Sequence, residues 1–152
     1  MPSPADDAVR EFLAASMVAQ VATLSAAGRP FVTPLWFVVD EGTLYLTTGP
    51  GTRVGRNVDR HPAVTLLLRG ERLPQQDRVL RLHGTATCQR GLPSWRVLVR
   101  IAAKYYVLPA ALAVELPNAA RWRLRVLYYQ QLKGGVGHLR IVPTSAEFLR
   151  RP

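Results

Sequence analysis

Short runs rich in β-branched and aromatic residues, set off by turn signals, make up most of the chain, and helical periodicity appears at its start and in its last third. Phe31 to Asp40 and Thr43 to Thr48 flank Asp40-Glu41-Gly42, a turn signal that predicts a β-hairpin. Ala19 to Ser25 reads as the strand before it, and Ala63 to Leu68 as a buried strand after it. Arg78 to Cys88 alternates as a long strand with Gly84 marking a bulge or close approach, and His138 to Val142, continued past Pro143 to Leu149, closes the set. Val9, Phe12 and Leu13 fall at i, i+3 and i+4 behind Ser3-Pro4-Ala5-Asp6, which predicts a short N-terminal helix with one apolar face. The links among the strands up to Cys88 are hairpin-like and hold no helix of crossover length, so the sheet should be antiparallel and closed or nearly closed to protect its edges.

The last third changes character. Ser94 to Val107 is helical by pattern, with Trp95, Leu98, Ala102 and Tyr105 on one stripe and Arg96, Arg100 and Lys104 on another. Like charges at i, i+4 and i+8 repel, so the second stripe needs either solvent or an anion. Pro109 and Pro117 suit first helical positions and predict helices from Pro109 to Leu116 and from Pro117 to Leu132, the latter stopped by Lys133-Gly134-Gly135. Residues 94–132 thus read as a helical insertion before the closing strand.

Composition narrows the classes. With 152 residues and 48% hydrophobic content, the chain reads as one ordered domain over residues 1–152. No apolar run approaches the ~20 residues that span a bilayer, and Asp6 and Asp7 do not suit a secretory leader, so a cytoplasmic protein with no membrane partner is expected. Cys88 is the single cysteine, which excludes an intrachain disulfide and a cysteine-based zinc site; no metal site is expected. The formal charge of +10 is carried almost wholly by Arg, with Lys only at Lys104 and Lys133. A nucleic-acid surface, an anionic small molecule and a bias towards Arg over Lys all fit that balance. A nucleic-acid-binding barrel stays an alternative, although no groove-reading or base-stacking motif accompanies the charge.

Two stretches carry candidate chemistry. Gly49-Pro50-Gly51 leads into Thr52, a predicted N-cap, and then a run with Arg53, Arg56 and Arg60 that Pro62 closes. A helix start presents unpaired N–H groups and partial positive charge, so Thr52 and the arginines form a seat for a phosphate. Pro34 sits inside the second strand, where proline removes a ladder donor; a break there would leave backbone near Thr33 to Trp36 free to face a ligand. His61 and His83 are not assigned a role, and no acid/base pair stands at a motif spacing, so no catalytic residue is named.

The order of these elements, with a Pro-Leu-Trp-Phe core, a strand ending Leu-Thr-Thr, and Gly-Thr-Arg-x-x-Arg-Asn-Val-x-x-His-Pro before the next strand, resembles the pyridoxamine 5′-phosphate oxidase-like flavin-binding split-barrel family. The likeness is greatest to small actinobacterial members that use FMN or a 5-deazaflavin. The resemblance implies an α+β fold, mainly β: an antiparallel split barrel with an N-terminal helix and a helical insertion. It also implies a homodimer with the cofactor at the interface. It places the flavin ring against Thr33, Pro34, Leu35 and Trp36, and the ribityl phosphate against Thr47, Thr52 and Arg53, with Thr48, Arg56 and Asn57 close by. Val54 stands where a second basic residue often follows, so Arg56, one turn on, is expected to supply that charge. The substrate-binding Trp and Arg pattern of true pyridoxamine phosphate oxidases is missing near the C-terminus. The implied activity is hydride transfer to or from a small organic substrate; the same motif would equally serve a flavin carrier without turnover.

Overall fold

The computed structural model describes residues 2–74, 77–105 and 137–150. The elements run α1 (Asp7–Ala15), β1 (Ala19–Leu24), β2 (Pro30–Leu35), β3 (Phe37–Asp40), β4 (Thr43–Leu46), α2 (Arg53–Arg60), β5 (Ala63–Leu68), β6 (Arg78–Arg90), α3 (Trp95–Tyr105) and β7 (Gly137–Arg150). The helices expected over residues 109–116 and 117–132 lie outside the described residues.

All strands pair antiparallel in one sheet, in the order β2-β1-β5-β6-β7-β4-β3. β2 and β3 are its two edges, yet a single residue, Trp36, separates them in sequence. Laid flat, seven strands would put those edges about 29 Å apart, and one residue reaches only about 3.5 Å. The sheet therefore curls until its edges meet at Trp36, giving a split barrel of the α+β class. The single strand expected from Phe31 to Asp40 is corrected here: the run is two strands, and the chain changes sheet edge at the break that Pro34 signals two residues earlier.

The inward positions follow the strand period of two. Val64, Leu66 and Leu68 of β5, Leu80, Leu82 and Ala86 of β6, and Leu139 and Ile141 of β7 are buried together with Val9, Phe12 and Leu13 of α1 and Val54 and Val58 of α2. The β3–β4 hairpin turns at Glu41 and Gly42 with φ of 50° and 77°, the two positive values that a two-residue type I′ connection requires. The interruption at Pro143 is a bulge: His83 pairs with Ser145 and Gly84 with Pro143, so Thr144 is the extra residue on β7. α1 begins later than Ser3-Pro4 suggests. Asp6 is its N-cap, and the Asp6 carboxylate accepts from the Ser3 N–H at 2.7 Å rather than capping the helix.

α3 follows its hydrophobic pattern only in its second half, where Ala102 and Tyr105 are half-buried. Val97 is buried, whereas Trp95 is 73% exposed and Leu98 and Val99 are also exposed. The inward side includes the basic stripe. Arg96 and Arg100 both pair with Asp40, at 3.3 and 3.0 Å. Arg100 also donates to the Val39 carbonyl at 3.3 Å, and Lys104 donates to the Phe37 carbonyl at 3.1 Å. The spacing explains the match. Four residues of helix advance about 6 Å, and two residues of strand, the interval between carbonyls on one edge, advance about 6.7 Å. The charges that required solvent or an anion meet the open edge of β3 and the carboxylate at its end, and an unpaired strand edge is thereby covered.

Candidate functional site

The start of α2 is built as a capped helix end. Thr52 is the N-cap: its hydroxyl accepts from the Gly55 N–H at 3.1 Å and donates to the Gly49 carbonyl at 2.7 Å. With that proton committed, the Thr48 hydroxyl is the donor in its 2.9 Å bond to Thr52. Both hydroxyls therefore hold the turn together. Groups left to meet an anion are the backbone N–H groups of Arg53 and Val54, which make no hydrogen bond among the described residues, and the side chains of Arg53 and Arg56 at the surface. Arg56 reaches back to the Gly51 carbonyl at 3.4 Å, which keeps its guanidinium on this turn. A dianionic phosphate matches this donor set: two orphan N–H groups and two guanidinium groups, with charge-assisted bonds the strongest available.

The turn is also tightly seated. A Cβ on Gly55 would lie 2.5 Å from the Gly49 carbonyl oxygen and 3.2 Å from the Cys88 sulfur, so only glycine lets α2 approach the Gly49-Pro50 backbone. Burial, and then the nearby Asp59 carboxylate, push the Cys88 thiol up, away from the reactive thiolate. Asn57 is buried and its amide donates to the Thr23 hydroxyl at 3.0 Å, so it ties α2 to β1.

Two contacts join this turn to the broken strand. The Arg53 guanidinium lies over the Phe31 ring of β2, 4.4 Å from its centroid, and the Thr47 N–H donates to the Trp36 carbonyl at 3.3 Å. The stretch Phe31 to Trp36 is thus met by Arg53 at its first residue and by Thr47 at its last. Among the described residues β2 pairs with β1 alone; Thr33, Leu35 and Trp36 are half-buried and Pro34 is exposed. Phe31 was not singled out from sequence, and its signal is its place two residues before Thr33 on the same side of the strand.

At the junction, Tyr105 of α3 stacks on Trp36 with ring centroids 4.6 Å apart and planes 6° from parallel. Its hydroxyl bonds Met17 and Phe37, and burial pushes its pKa up to about 12. Lys104 beside it is lowered to about 8, first by burial and then by the charge of Arg72. A separate groove of about 900 Å³ lies between α1, the β3–β4 hairpin and α3, lined in part by Arg10, Leu13, Val38, Arg100 and Lys104. None of the residues expected to hold a cofactor lines it, and Arg100 and Lys104 are already committed to the β3 edge. The α2 start, unlike this groove, keeps donors uncommitted among the described residues.

The fold defines a class: split barrels in which a capped helix start adjoins a broken edge strand. The match to the pyridoxamine 5′-phosphate oxidase family model covers residues 5–133, and the chain belongs to that family. Among solved structures, an F420 reductase is 18% identical, with 91% of this chain and 94% of that one covered at a TM-score of 0.62. A pyridoxamine 5′-phosphate oxidase-related, FMN-binding protein from Nostoc punctiforme is 16% identical, covering 99% and 86% at 0.61. The haem storage protein HutZ from Vibrio cholerae is 18% identical, covering 95% and 93% at 0.62. At these identities the likeness is one of fold. No curated protein matches the sequence.

Proposed function

We propose that the protein is an oxidoreductase that binds FMN or a 5-deazaflavin coenzyme at the α2 start and along β2, and exchanges hydride with a small organic substrate. The observation that carries this reading is the junction of the two halves of the site: the same stretch, Phe31 to Trp36, touches the phosphate seat through Arg53 and the Thr47 backbone through Trp36. When bound, such a group carries the electrons, and the protein's tasks are to hold it, orient it and admit substrate. Arg53, Arg56 and the free N–H groups of the first α2 turn would take the phosphate; the Thr33 to Trp36 backbone would face the ring. Thr52, Thr48 and Asn57 serve the seat indirectly by fixing α2. Family membership supports the flavin class, and the FMN-binding and F420-related neighbours favour it over the haem that other neighbours store.

The same reading makes the protein a cytoplasmic homodimer. Val32 on β2 and Leu92, Trp95 and Val99 around α3 are exposed apolar residues that a second copy would cover. No helix among the described residues is long and apolar enough to cross a membrane.

The test is the absorption spectrum and mass of the copurifying chromophore, followed by uptake of FMN and of a 5-deazaflavin by the apo-protein. A flavin-type spectrum and saturable uptake are expected. Uptake of neither, or a Soret band in place of a flavin spectrum, overturns the cofactor assignment. Bleaching of the bound cofactor by a reduced organic substrate separates enzyme from carrier, and a monomer at micromolar concentration in sedimentation excludes the dimer.

A further inference from the structure

Tyr105 does more than pack on Trp36, and its further role rests on the flavin site proposed above. β1 and β2 pair from Leu24 opposite Pro30 to Ala19 opposite Leu35. Two residues further in the same register, Met17 would stand opposite Phe37, within reach of a direct backbone bond. Instead the Tyr105 hydroxyl stands between them, accepting from the Phe37 N–H at 2.9 Å and donating to the Met17 carbonyl at 2.7 Å. Of the complementary groups, the Met17 N–H donates to the Glu71 carboxylate at 2.8 Å, while the Phe37 carbonyl accepts from Lys104 at 3.1 Å and also lies 2.9 Å from the Tyr105 hydroxyl, a second acceptor for its single proton. A side-chain hydroxyl thus takes the place of a ladder hydrogen bond at the point where β3 parts from β1. Its ring fills the opening against Trp36, and the Lys104 ammonium sits 3.7 Å from the centre of the Phe37 ring.

We propose that Tyr105, seconded by Lys104, is the positioning residue that sets how far the barrel is split, and so fixes the Thr33 to Trp36 backbone on which a flavin ring would lie. Without the hydroxyl, Met17 and Phe37 either pair directly and draw the split closed, or are left unpaired. Either outcome shifts Trp36, whose carbonyl holds the Thr47 N–H at 3.3 Å.

The experiment compares the wild-type chain with Tyr105→Phe, Lys104→Met and Arg96→Gln by two measurements. One is the Kd for FMN; the other is hydrogen exchange of the Thr47 amide in the apo-protein. Tyr105→Phe keeps the stack and loses the hydroxyl. It is expected to raise the FMN Kd and the Thr47 exchange rate each at least fivefold, with Lys104→Met moving both the same way by less. Arg96→Gln loosens the far end of α3 and should move neither. Unchanged values in Tyr105→Phe, or equal shifts in Arg96→Gln, overturn the proposal. Should Tyr105→Phe fail to fold, Lys104→Met decides it, and no change there rejects the wedge. If the wild type takes up neither FMN nor a 5-deazaflavin, the proposed function fails, while the exchange rates still decide the role of Tyr105.

Discussion

The two edges of the sheet come from one mostly apolar stretch, Pro30 to Asp40, and they are finished differently. β3 is sealed: Phe37 and Val38 are buried, and its outward backbone groups are taken by Arg100, Lys104 and Tyr105. β2 is open among the described residues, with Val32 62% exposed and Pro34 exposed two residues on, and the Arg53 guanidinium lies over the Phe31 ring near its start. An uncovered edge is a hazard for a sheet in water unless something else occupies it. The contrast therefore assigns different work to the two halves. The sealed edge closes the fold, while the open edge and the helix start beside it are where the proposed cofactor and second copy would sit.

Substitutions that strike one half and spare the other test this division. The largest effect is expected at Gly55→Ala, because the new methyl meets a backbone carbonyl that cannot step aside. Displacing α2 should cost about 3 kcal/mol of stability and should weaken FMN uptake with it; an unchanged urea midpoint would mean that the approach of α2 to Gly49 is not tight. Next is Arg53→Ala. The guanidinium contributes only about 0.5 kcal/mol to folding through its exposed contact with Phe31. Its loss should raise the FMN Kd ten- to hundredfold, equivalent to about 1.5 to 3 kcal/mol. Arg69, exposed at the end of β5 remote from α2, is the control for diffuse charge, and Arg69→Ala should leave the Kd unchanged.

Asp40→Ala is the reciprocal case. It removes the shared acceptor of Arg96 and Arg100, but both guanidinium groups are about half exposed, at 48% and 52%, and can return to water. The cost should therefore fall below that of a fully buried pair, about 1 to 2 kcal/mol by urea denaturation, with FMN affinity unaltered. Equal changes in affinity for Asp40→Ala and Arg53→Ala would dissolve the distinction between the edges.

Much of this was legible in the chain. The hairpin at Glu41-Gly42, the Thr52 cap and the bulge beside Gly84 are local events, decided by residues a few positions apart. The strand break was half legible: Pro34 announces an interruption, but only the pairing of both flanks shows that the chain there passes from one sheet edge to the other. The orientation of α3 was not legible. Its apolar stripe begins with Trp95, which a hydrophobic pattern alone predicts to be inward, whereas Asp40 and the carbonyls of β3 lie more than fifty residues earlier and hold the basic stripe along the β3 edge, leaving Trp95 exposed and only the Tyr105 end of the apolar stripe packed. A long-range polar partner overrides a helical pattern whenever leaving it unpaired costs more than exposing an indole. Thr48, Thr52 and Asn57 illustrate a related limit, because residue type suggests ligand donors and the structure adds that Thr48 bonds Thr52, Thr52 bonds the Gly49 carbonyl and Asn57 bonds Thr23.

The smallest effect concerns pH, and it belongs to the sealed edge alone. Lys104 is lowered from 10.5 to about 8 in the folded protein. Between these values the unfolded chain binds a proton that the folded one has released, so stability from this group rises as pH climbs from about 8 to 10.5. Tyr105 is raised from 10.0 to about 12, and here the folded protein keeps a proton that the unfolded chain has lost. Its contribution is complete below 10.0 and disappears as pH rises to about 12. Together the neighbours should give a shallow local maximum of stability at pH ~10, where the two windows meet. Urea midpoints measured over roughly pH 7 to 11 should show it. Lys104→Met should remove the rising limb and Tyr105→Phe the falling one. A rising limb that survives in Lys104→Met would place the titrating group elsewhere and detach the pH response from the β3 edge.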